Sequence, residues 1–182
     1  MSSLMSDVAI KPRIAVFCVG NRLHLDDGAG PAVYDEVLER FDVPEDVKLL
    51  DLGVLTLDMI EYINICDVVI TVDAMEHSGE EPGTVLIGKP SDLAKSQGMN
   101  MSLHDLRLVD LFDAAILLDY NAEGLCIAVQ VENADPQFLT QDLTPRVRAA
   151  IPLLVDTLAA ELAKRGAPLI DKATGEPYLG PQ

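Results

Sequence analysis

Hydrophobic residues are arranged along this chain in two alternating patterns. Short unbroken apolar runs, closed by glycine, asparagine or aspartate, take turns with stretches in which apolar residues recur every three or four positions. Ile14-Ala-Val-Phe-Cys-Val19 is the first run, and Gly20-Asn21 closes it. That pattern predicts a buried strand followed by a turn. Val47-Lys-Leu-Leu-Asp51, Val68-Val-Ile-Thr-Val72 (ending at Asp73) and Leu125-Cys-Ile-Ala-Val-Gln-Val131 read as further strands. Thr84-Val-Leu-Ile87 follows a Pro82-Gly83 turn, itself reached through a Glu76–Glu81 loop. The Pro-Gly link is too short for a helical crossover, so this strand is expected to be antiparallel and at or near an edge.

The three-to-four-residue pattern predicts the helices. Val33, Val37, Leu38 and Phe41 share one face of the first, with Pro31 in its opening turn. Leu55, Met59, Ile60 and Ile63 mark a second, and Leu108, Leu111 and Ala115 a third that opens at Ser102. The last starts at Thr144-Pro145 and carries Val147, Ile151, Leu154, Leu158 and Leu162. Pro152 inside it predicts a kink or break, and Gly166 a stop. Strands alternating with helices define an α/β domain, a three-layer sandwich around a mostly parallel five-stranded sheet with one antiparallel strand. Residues 13–165 form the single domain. Residues 1–12 read as a loose leader, and 166–182 as an aperiodic extension lying on the surface or mobile.

Composition narrows the function classes. A chain of 182 residues that is 49% hydrophobic can bury one good core, and no Gly/Ser/Pro-rich linker divides it. The formal net charge of -17 repels phosphate backbones and anionic lipid, which argues against nucleic-acid and membrane partners. An acidic surface suits a basic peptide or a metal-loaded protein, although solubility alone accounts for it. Cys18, Cys66 and Cys126 each lie in an apolar stretch with no metal-ligand spacing, as expected for a reducing compartment. With no membrane-length apolar run and no signal-peptide core, a cytoplasmic location is expected.

Sites in open α/β sheets form beyond the carboxyl ends of the strands. Gly20-Asn-Arg-Leu-His-Leu-Asp26-Asp27-Gly28-Ala-Gly30 follows the first strand, Asp51-Leu-Gly53 the second and Asp73-Ala74 the third. Three carboxylate-bearing loops therefore converge on one edge. The first is no phosphate cradle: its glycines form neither nucleotide fingerprint, and Asp26 and Asp27 stand where an anion would bind. Converging carboxylates repel unless a cation or a shared proton relieves them. A metal is the simplest relief, with Asp27 and Asp73 as oxygen ligands and His24, His77 or His104 completing a mixed set. Asp51 and Asp73 could equally cap turns, and Asp26 could favour the dipole of the first helix. No G-x-S-x-G or H-E-x-x-H is present, and Cys18 lies within a strand, so nucleophilic-serine, cysteine and zincin chemistry find no support.

Four blocks in register resemble the hydrogenase maturation endopeptidases. They are Gly20-Asn21 with Asp26-Asp27-Gly28-Ala-Gly30-Pro31; Val72-Asp73-Ala74 with Glu81-Pro-Gly-Thr84; Ser102-Leu-His104; and Thr144-Pro145 through Pro152. The resemblance spans about residues 14–160 and implies a Rossmann-like domain. It further implies an endopeptidase removing the C-terminal extension of a [NiFe]-hydrogenase large-subunit precursor after nickel insertion. Asp27, Asp73 and His104 would be both catalytic and metal-contacting, and Gly20, Asn21 and Asp51 would face the substrate. No permanently bound cofactor is expected, because the nickel arrives with the precursor. Two positions depart from the family pattern: Cys18, where many relatives have glycine, and Val131-Glu132-Asn133, in place of a glutamine-proline ending. Both concern the walls of the site and bear on the choice of hydrogenase partner. The alternatives are a nickel-sensing checkpoint protein that binds the precursor without cutting it, and a nucleotide binder disfavoured by the acidic first loop.

Overall fold

The computed structural model describes residues 13–94 and 108–181. Five strands form the central sheet: β1 (Ile14–Val19), β3 (Val47–Leu52), β4 (Val68–Met75), β5 (Val85–Gly88) and β6 (Glu123–Gln130). Their order is β3-β1-β4-β6-β5. β3, β1, β4 and β6 are parallel neighbours, whereas β5 pairs antiparallel with β6 at the edge. The short Pro-Gly link thus produces the edge strand that its length requires.

Helices cover both faces, as the all-buried β1 demands. Ile14, Val16, Cys18, Ile70, Val72, Ile127 and Val129 pack with side chains of α1 (Ala29–Arg40) and α5 (Pro145–Lys164). Ala15, Phe17, Val19 and Val69 face the other way, toward Ile63 of α2 (Ile60–Ile65) and Leu111 and Ala115 of α4 (Leu108–Leu117). The chain leaves β1 for β3 through α1 and returns to β4 through α2, on opposite faces. The β1–β4 boundary is therefore a switch point, where a crevice opens beyond the strand ends.

Several elements differ from the sequence expectation. Leu38 is exposed, because the buried face of α1 is carried by Ala29, Val33 and Val37. Phe41 begins a short strand, β2 (Phe41–Asp42), instead of ending the helix. Leu55 precedes α2, and Met59 belongs to a 3-10 helix (Leu57–Met59) leading into it. A helix not foreseen, α3 (Pro90–Ala94), follows β5, while the Ser102 start of the third expected helix lies outside the described residues. α5 runs unbroken through Pro152. That proline is exposed, so the carbonyl deprived of its helical partner can be hydrated.

Residues after Gly166 are not a loose tail. β7 (Leu169–Asp171) and β8 (Pro177–Tyr178) form a second antiparallel sheet, in the order β2-β7-β8. Ala167 and Leu169 are buried in the α1/α5 core. Tyr178 stacks on Phe41 with centroids 5.0 Å apart and donates its hydroxyl to Asp156 Oδ1 at 2.8 Å. In β7 Leu169 is buried and Ile170 and Asp171 partly so, and three residues are too few to show a period.

Candidate active site

The loop after β1 owes its shape to Gly20. This residue has φ +135, and a Cβ there would stand 1.8 Å from the Asp27 carbonyl oxygen, so no other residue fits without moving the loop. Its N–H donates to Leu52 O of β3 at 3.0 Å. Asn21 folds the next turn: its Oδ1 accepts from Leu23 N–H at 2.9 Å, and its own N–H donates to Asp27 Oδ2 at 2.8 Å. Leu25–Gly28 then form a 3-10 helix that leads into α1 and packs against β4. A Cβ on Gly30 would meet Val19 O at 2.1 Å and Val72 O at 2.8 Å, so only glycine lets α1 start this close to both strands.

Asp27 is held partly buried at this turn. Asp73 lies inside β4, which runs on past the expected end at Asp73 to Met75, and it pairs with Ala128 of β6. Its Oδ1 accepts from Ala74 N–H at 2.8 Å. Burial pushes the Asp73 carboxyl up to about 8; the Ala74 N–H opposes this, and the nearby Asp27 charge adds to it. Asp73 thus senses the Asp27 charge at the β1–β4 switch point.

Asp26, by contrast, is fully buried and structural. Its Oδ2 accepts from Glu132 N–H and Asn133 N–H at 3.0 Å each and from Thr144 Oγ1 at 2.9 Å. Its Oδ1 accepts from Thr144 N–H at 2.7 Å. Thr144 stands at the N-cap of α5 with Pro145 following, as the sequence expects, but its hydroxyl goes to Asp26, and the resulting clamp fastens the Asp27 loop to the β6–α5 connection. The Thr144 hydroxyl makes no capping bond to α5.

Asp51 ends on Arg22, whose Nη2 donates to its Oδ2 at 2.7 Å while Nη1 and Nη2 reach Asp35 at 2.5 and 2.9 Å. Sequence reasoning missed Arg22, although it is the one arginine or lysine between Gly20 and Gly28 and so the available counter-charge. It also missed Gln130, nearly buried at the end of β6, whose Oε1 accepts from Ser78 N–H at 2.9 Å and anchors the loop after β4. Among the described residues no three His, Cys, Asp or Glu side chains are grouped to hold a metal ion, so neither His24 nor His77 completes a set with Asp27 and Asp73. His104 lies outside the described residues. The Cys18 and Cys126 thiols are buried and their pKa values are raised, by burial first and then by nearby carboxylates, which keeps them un-ionised and inert. No described helix is long and apolar enough to cross a membrane.

Comparison with known proteins agrees with this architecture. The family model described as "Hydrogenase maturation protease" matches residues 31–161. The hydrogenase expression/formation protein HupD of Bradyrhizobium diazoefficiens is 31% identical over 155 residues, covering 85% of this chain and 80% of that protein. The hydrogenase 2 maturation protease of Escherichia coli is 26% identical over 161 residues, covering 88% and 96%. The solved hydrogenase maturating endopeptidase HybD from E. coli superposes with a TM-score of 0.78 at 26% identity, over 88% of this chain and 98% of that one. With the fold and the family match in agreement, this chain belongs to the hydrogenase maturation protease family.

Proposed function

We propose that this protein is an endopeptidase that removes the C-terminal extension of a [NiFe]-hydrogenase large-subunit precursor after nickel insertion. The observation that carries the reading is the pairing of Asp27 and Asp73 at the switch point, one from a loop that only Gly20 permits and one from inside β4. A buried carboxyl whose ionisation is costly, and costlier still beside the Asp27 charge, forms an incomplete site, and a cation completes it. On this reading the ion is the precursor's own nickel, part of the substrate, met by Asp27, Asp73 and His104. The cytoplasm is the compartment in which this reaction is placed.

Hydrolysis needs a water activated at the scissile carbonyl and a proton returned to the leaving amine. A carboxylate at the edge of the site takes the water's proton, and the resulting acid delivers it to the amine. The carboxylate suited to this exchange is one that the nickel leaves free. Gly20 and Asn21 form the floor against which the scissile segment lies, and Asp51 contributes to the rim through Arg22.

The test is mass spectrometry of the nickel-loaded precursor after incubation with the wild type or with Asp27→Asn. Wild type should release a C-terminal fragment. Asp27→Asn should release none and remain within about 1 kcal/mol of wild-type stability, as expected for a partly exposed position outside the core. A stable complex without cleavage by the wild type would identify a non-cleaving checkpoint protein instead.

A further inference from the structure

Beside the carboxylates stands a group of side chains that neither the fold nor the hydrolytic chemistry uses. Thr140 N–H donates to Leu23 O at 2.9 Å and Leu25 N–H to Thr140 O at 3.4 Å, so the end of the 131–144 loop runs alongside the Asp27 loop as a short parallel bridge. The Asp26 clamp fastens the same two loops again at Glu132, Asn133 and Thr144. The loop is thus fastened on either side of Phe138 and Leu139. Leu23 is nevertheless 41%, Phe138 81% and Leu139 68% exposed. Large apolar side chains gathered beside a site and left in water mark an interaction surface.

The charge around them indicates what they receive. Glu132 and Asp135 are exposed on the same loop, and no lysine or arginine occurs between Val131 and Thr144. The apolar ledge therefore has an acidic border. A second copy of this chain would set one acidic border, and one net charge of -17, against another. A segment with apolar side chains flanked by basic ones meets both features.

We propose that Leu23, Phe138 and Leu139 form the docking ledge for an extended segment of the large-subunit precursor that carries apolar residues bordered by lysine or arginine, and that this ledge selects the hydrogenase partner. The inference rests on the precursor being the substrate. Leu23 is four positions before Asp27 in the same hydrogen-bonded turn, so a chain laid on the ledge is led directly to the carboxylates. Docking of this kind adds binding shared by ground state and transition state, and it therefore changes KM and leaves kcat.

The experiment compares the wild type with Phe138→Ser/Leu139→Ser in steady-state cleavage of the nickel-loaded precursor. Both variants are repeated in an Asp27→Asn background to measure precursor binding without turnover. The two side chains are exposed, so the double variant should keep the wild-type melting temperature. KM and the dissociation constant should each rise about tenfold, as for the loss of central apolar anchors, with kcat within about twofold of wild type. Cleavage with unchanged KM and unchanged binding overturns the ledge and leaves the peptidase reading standing. Binding that depends on the ledge, with no cleavage by the wild type, keeps the ledge and overturns the peptidase. A precursor that neither binds nor is cut overturns both.

Discussion

Asp73 occupies a strand position that burial makes hostile to charge. In the folded chain its carboxyl holds a proton up to a pH of about 8, against an ordinary value of 3.8. Between these values the folded state binds a proton that the unfolded state has released. Stability contributed by this group is therefore full below pH 4, falls as pH rises through the window and levels off above pH 8. One pKa unit corresponds to about 1.4 kcal/mol, so even half of the shift is worth roughly 2–3 kcal/mol. Asp73→Asn removes the ionisation, and in parallel thermal melts the variant should gain on the wild type from pH 5 to about pH 8 and hold that lead at pH 9. Equal losses in both proteins would mean that Asp73 ionises as an ordinary carboxyl. The aspartate itself was legible in the sequence, since it closes an apolar run. Its perturbation was not, because it depends on β4 continuing to Met75 and lying against β6.

Between elements, the clamp made by Asp26 joins parts of the chain 118 residues apart. Replacing the carboxylate with an amide of the same shape leaves one oxygen and puts an NH2 group against N–H donors that it cannot satisfy. A buried donor left without an acceptor costs about 1–3 kcal/mol, so Asp26→Asn should lose on the order of 3 kcal/mol in urea denaturation. Asp26→Ala should lose at least as much. Processing by Asp26→Asn should fall as well, even where the protein is folded, because the clamp fixes the turn that presents Asp27. The same contact shows where sequence reading ends. The five strands of the main sheet were legible because each is an apolar run ended by a turn residue, and the antiparallel edge strand followed from the length of one link. The Asp26–Thr144 contact has no local signature: each residue reads plausibly as a helix-start residue, and only the folded chain reveals that they satisfy each other. β2, β7 and β8 escaped for a different reason, since strands of two or three residues carry no detectable period. His104 was one of three histidines that the sequence offered to the site, the one that the resemblance selects, and it lies outside the described residues.

At the scale of the whole molecule the two ends of the sheet do different work. The carboxyl ends of the parallel strands carry the carboxylates and the ledge. The opposite ends are fastened by ion pairs and by the small sheet. There Arg165 reaches Glu161 at 2.5 Å and Glu123 at 2.6 Å, while the Arg13 guanidinium donates to the Arg165 carbonyl at 2.8 Å. These contacts join the beginnings of β1 and β6 to the end of α5. β7 lies beside them, with Leu169 only 1% exposed beneath the small sheet. Truncating such a side chain removes apolar burial and leaves a cavity, so Leu169→Ala should lose about 2–5 kcal/mol in chemical denaturation. Arg40 ties this sheet to α1, its guanidinium 4.8 Å from the Phe41 ring centre and 5.9 Å from that of Tyr178. None of these residues reaches the switch-point edge, which is built from the β1 loop, the end of β4 and the β6–α5 connection. Leu169→Ala should accordingly process precursor with wild-type kcat and KM at a temperature where both proteins are folded, and should fail earlier than the wild type on heating. A loss of kcat in the folded variant would show instead that the small sheet transmits to the site through α1, whose first turn rests on the carbonyls of Val19 and Val72.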